Sequence, residues 1–79
     1  MDPERLKQYL QQTEQNIAQG NRHVAEQHAL VARLEQQGHD TASARALLAL
    51  LEESLRLHTA ERDRLLRELG ELFPQEYGL

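Results

Sequence analysis

"EQQGHDTASA", residues 35–44, is where the helical rhythm of the chain stops, and its reading decides the fold. Gly38-His39-Asp40-Thr41 sets a histidine beside a carboxylate and a hydroxyl, the materials of a small chemical site. They are equally the materials of a corner. Gly38 lacks the Cβ that makes left-handed backbone costly, so it suits the position after a helix end. Asp40 or Thr41 supplies a short oxygen acceptor to cap the helix that follows. We read residues 38–40 as a turn, with His39 exposed between the two helix ends.

Upstream, "MDPERLKQYL" carries a start signal: Asp2 to cap, Pro3 at the first helical position and Glu4 at the positive end of the dipole. The first helix is expected over about 3–37, weakest at Gly20-Asn21, where a glycine costs about 1 kcal/mol relative to alanine. Downstream, the second helix is expected over about 41–73 and stops at Pro74, leaving 74–79 as a short tail. Two helices of about 45–50 Å joined by so short a turn must run antiparallel. The expected fold is all-α, an antiparallel, coiled-coil-like two-helix hairpin forming one domain over 1–79.

The apolar spacing agrees. In the first helix Leu6, Leu10, Thr13, Ile17, Gly20, Val24, Gln27, Val31 and Leu34 recur in alternating steps of four and three. In the second, Ala44, Leu48, Leu51, Leu55, His58, Arg62, Leu65, Leu69 and Leu72 do the same. Folding the seams about the turn pairs residues whose numbers sum to 78 or 79, which puts Leu10 by Leu69 and Gly20 opposite His58. Gly20, His58 and Arg62 then form a polar interruption of the seam. Such residues set register and partner number at some cost in stability.

One seam does not use all the leucines. Leu47, Leu50 and Leu57, followed by Leu66 and Phe73, lie beside the seam of the second helix, and Leu30 flanks that of the first. A hairpin gives each helix only one partner face. We therefore expect two hairpins to pair as a homodimeric four-helix bundle through these residues, with a helix of another protein as the rival occupant. Three leucines per chain supply a dimer with about 10–15 kcal/mol of gross burial before entropy and polar losses.

Composition limits the function. The chain has 79 residues, close to the size at which one core barely offsets chain entropy, and it has no cysteine. No stretch approaches the roughly 20 apolar residues of a membrane span, and a soluble, cytoplasmic protein is expected. The net charge of -4 comes from interleaved acids and bases, and only Tyr9, Phe73 and Tyr77 are aromatic, which argues against a nucleic-acid interface. His23 and His28 are five residues apart and match no familiar metal motif, so no metal or other cofactor is expected. Ser43 and Ser54 have no neighbouring His-Asp pair, and a hairpin encloses no pocket. No catalytic residue is assigned and an enzyme is not expected.

The run "VARLEQQGHDTASARALLALLEESLRLHTAERDRL" resembles small uncharacterised helical-hairpin proteins of alpha-proteobacterial type, in which G-x-D-T precedes L-L-x-x-L-E-x-x-L-x-x-H. The matching positions are Gly38, Asp40, Thr41, Leu47, Leu48, Leu51, Glu52, Leu55 and His58. The resemblance implies a hairpin and brings no activity, cofactor or partner with it. The function expected from the residues is a non-enzymatic interaction or structural module acting through helix–helix contacts. The alternative is a small regulator in which His58 and Arg62 respond to pH or an anion, or the arginines of the second helix touch DNA.

Overall fold

The computed structural model describes residues 2–78. Met1 and Leu79, the two ends of the expected domain, lie outside the described residues. Helix α1 runs Pro3–Gln36, α2 runs Ala42–Leu72 and a single turn, α3, runs Pro74–Tyr77. The two long helices pack antiparallel against each other, giving a rod of 54 × 19 × 16 Å. Helix α1 is continuous through Gly20-Asn21.

Both ends of the turn are closed by hydrogen bonds that the orphan groups of a helix terminus require. At the end of α1, the His39 N–H donates to the Leu34 carbonyl (2.9 Å) and the Gly38 N–H to that of Glu35 (3.1 Å), with Gly38 at φ 73°. This is a Schellman arrangement, which only a residue without Cβ adopts at little cost. The two candidate caps divide the work at the start of α2. Asp40 Oδ1 accepts from the Ala42 N–H (2.9 Å), while the Thr41 hydroxyl accepts instead from Arg45 Nε (3.0 Å). Arg45 also pairs with Glu35 across the corner, tying the end of α1 to the first turn of α2.

Every residue of the α1 seam is buried or half-buried, and so is every residue of the α2 seam up to Leu69. Leu65 and Leu69 are fully covered and form one cluster with Leu6 and Leu10 at the end of the rod away from the turn. Gln27 is also buried, and its Nε2 donates to the Ala44 carbonyl (3.0 Å), so the polar residue in mid-seam is satisfied.

The structure departs from the sequence reading at three points. Leu72, placed in the seam, is half exposed, because Phe73 leaves the helical conformation ahead of Pro74 and turns the chain back. Residues 74–77 accordingly form α3 rather than an unstructured tail. Phe73 and Tyr77 pack against the Leu6–Leu10–Leu65–Leu69 cluster, and the Lys7 ammonium lies 4.2 Å from the Phe73 ring centroid and 3.3 Å from Glu76. The third departure is register. The side chain nearest Gly20 is Leu55, one seam step from His58, so the missing side chain makes room for a leucine rather than an imidazole.

Candidate interaction surface

Successive residues of an α-helix are 100° apart, so a leucine immediately before a seam residue lies on one flank of the seam and one immediately after it lies on the other. Leu47, Leu50 and Leu57 precede Leu48, Leu51 and His58. They form one stripe on the half of α2 nearer the turn, with 47%, 68% and 59% of their surfaces exposed. Leu30 precedes Val31 on the matching flank of α1. It is half-buried and lines a groove with His23, Glu26, Arg33 and Leu51 at the border between the helices. Toward the other end of α2 the same stripe becomes charged, through Glu61, Arg64 and Glu68.

Leu66 does not belong to this stripe. It follows Leu65, is 37% exposed and borders a separate groove with Lys7, Leu10, Glu14 and Tyr77. Phe73 is likewise taken up by the end cluster. The apolar surplus read from the sequence is thus divided between two flanks, and the stripe on α2 is the more exposed part.

The opposite flank of the hairpin is held by polar pairs. Glu35 meets Arg45, His28 Nε2 lies 3.9 Å from Glu52, and Lys7 stacks on Phe73; in each pair the residue numbers sum to 80. Burial alone pulls the Lys7 pKa down, but the hydrogen bond to Glu76 and the charges of Glu76, Glu4 and Tyr77 outweigh it and hold the value above its ordinary one. This flank already has its partners within the chain.

Of the residues considered for chemistry, His23 and His39 are exposed, and His58 is half-buried in a shallow groove that Gly20, His23 and Ser54 also line. Among the described residues no three His, Cys, Asp or Glu side chains are placed to hold a metal ion. Arg62 bonds to its neighbour Asp63 (3.1 and 3.2 Å), Arg64 lies between Glu61 and Glu68, and Arg56 pairs with Glu53. These guanidinium groups face carboxylates of their own helix, an arrangement that offers a phosphate backbone little uncompensated charge. No helix among the described residues is long and apolar enough to cross a membrane.

Sequence reasoning missed the contact of α3 with Lys7. The aromatic residues at 73 and 77, one helical turn apart on either side of Pro74, were its only signal. Compared with models of known families, with curated proteins and with solved structures, the chain matches none.

Proposed function

We propose that the protein is a non-enzymatic interaction module whose hairpin pairs with a second copy of itself, through the Leu47–Leu50–Leu57 stripe, to make a four-helix bundle. The observation that carries this reading is the exposure of those three leucines on one stripe of α2, directly beside the seam that the hairpin buries. Area supports it. A compact monomer of 9.1 kDa exposes about 4,900 Å², whereas this rod exposes 5849 Å². The excess, about 950 Å², matches the roughly 800 Å² that each partner contributes to a standard interface. A homodimer needs only that one surface complement itself, and a leucine stripe does so readily. The absence of cysteine suits a reducing, cytoplasmic setting.

Leu50→Glu/Leu57→Glu tests the reading, because it places charge in the stripe and leaves the hairpin seam intact. Light scattering should give a dimeric parent and a helical, monomeric variant. A monomeric parent that acquires a dimer's mass only when bound to a different protein would transfer the stripe to a foreign helix and end the homodimer reading.

A further inference from the structure

The stripe on α2 has an internal pattern that selects one way of pairing two copies. We infer that the copies associate with their turns at opposite ends, α2 against α2, about a two-fold axis passing close to residue 52. This rests on the homodimer reading and adds to it the orientation and the residue pairing.

Along the outer face of α2 the residues at steps of four and three are Ser43, Leu47, Leu50, Ser54, Leu57, Glu61 and Arg64, preceded by Asp40 of the turn; all are exposed except Glu61, which is half-buried. This is a second heptad seam, parallel to the one that holds the hairpin. Turned end for end about residue 52, it meets itself in register. Leu47 packs on the partner's Leu57, and Leu50 fills the space above the partner's Ser54. Leucine is thus set against leucine or against a small side chain, the large-to-small alternation that close packing needs. The same operation sets Arg64 against the partner's Asp40, so the end of the apolar contact carries opposite charges at the polar rim.

The flank of α1 on this face distinguishes the two possible orientations. It is polar, through Asn16, Gln19, His23, Glu26 and Arg33, with Leu30 its one leucine. With both turns at one end, each α2 stripe would lie over the partner's α1, burying leucines against these polar groups at the cost of their hydration. With the turns at opposite ends, leucines meet leucines and the polar flanks meet each other.

Pairs of nitroxide labels separate the arrangements, and because the chain has no native cysteine, single cysteines can be placed freely. Ala49→Cys and Arg67→Cys both alter exposed positions off the proposed contact. About an axis at residue 52, the axial separation between copies is about 9 Å at position 49 and about 45 Å at position 67, at 1.5 Å per residue. Pulsed electron-spin distances should therefore be short at 49 and longer by several tens of Å at 67. Equal short distances at both positions would mean that the turns share one end, which overturns the inference while leaving a homodimer in place. No coupling at either position, together with a monomer mass, would remove the homodimer and this arrangement together.

Discussion

Gly20 and Leu55 touch across the hairpin so closely that a Cβ placed on residue 20 would lie 3.0 Å from Leu55 Cδ1. The atom it would meet is the far end of a half-buried leucine, which can move by a few tenths of an ångström. Alanine also gains about 1 kcal/mol over glycine within a helix. Gly20→Ala should therefore raise stability by up to about 1 kcal/mol, an increase in melting temperature of about 4–8 °C for a domain of this size. Gly20→Leu should lower stability by about 1–3 kcal/mol through overpacking. Thermal unfolding followed by circular dichroism reads both, and a lower melting temperature for the alanine variant would show that Leu55 is held rigidly.

Gly38 gives a separate test of the corner. Nothing lies within 4 Å of a Cβ built there, so a substitution meets only the cost of its φ of 73°. Gly38→Ala should lose about 1–2 kcal/mol, and Gly38→Asn, which tolerates that region better, should lose less. His39→Ala should change stability by no more than about 0.5 kcal/mol. A loss from His39→Ala as large as that from Gly38→Ala would mean that the imidazole has a role the turn does not explain.

The end cluster should dominate the energetics of the hairpin. Leu65 and Leu69 are fully buried, whereas Leu72 is 50% exposed. Truncating either of the first two to alanine should remove about 2–5 kcal/mol, a large share of the stability of so small a domain. Leu72→Ala should be much milder. Urea unfolding of the three variants would contradict the described core if Leu72→Ala proved the most damaging.

Arg64 should be visible in the titration of its neighbour. The hydrogen bond from Arg64 holds the Glu61 pKa below its ordinary value of 4.5, against a smaller opposing effect of desolvation. A depressed carboxylate pKa stabilises the fold above the unfolded value, and that contribution is lost as pH falls through the folded one. In Arg64→Gln, carboxyl carbon shifts should report a Glu61 pKa that has risen toward 4.5, with less stability lost on going from pH 7 to 3. An unchanged Glu61 titration would rule out the pair as its cause.

The hairpin was readable because two features coincide: a turn built from Gly38 and Asp40, and steps of four and three that recur from Leu6 to Leu34 and from Ala44 to Leu69. Register was not readable to better than one seam step. A heptad pattern looks the same after a shift of three or four residues, and only the depth of the gap at Gly20 distinguishes Leu55 from His58 as its neighbour. Helix α3 was hidden because four residues have no helical tendency of their own. What holds them is remote in sequence: Lys7 and the cluster beneath Phe73 and Tyr77. The leucine surplus was visible in number, but its division between two flanks depends on whether each leucine precedes or follows a seam residue, as Leu57 precedes His58 and Leu66 follows Leu65.

Sedimentation equilibrium of the unmodified chain between 1 and 100 μM tests the central claim most directly. If the Leu47–Leu50–Leu57 stripe is the contact between two hairpins, the mass at micromolar concentration should be twice 9.1 kDa and should not rise further. A helical, cooperatively folded species of 9.1 kDa across that range would contradict the account.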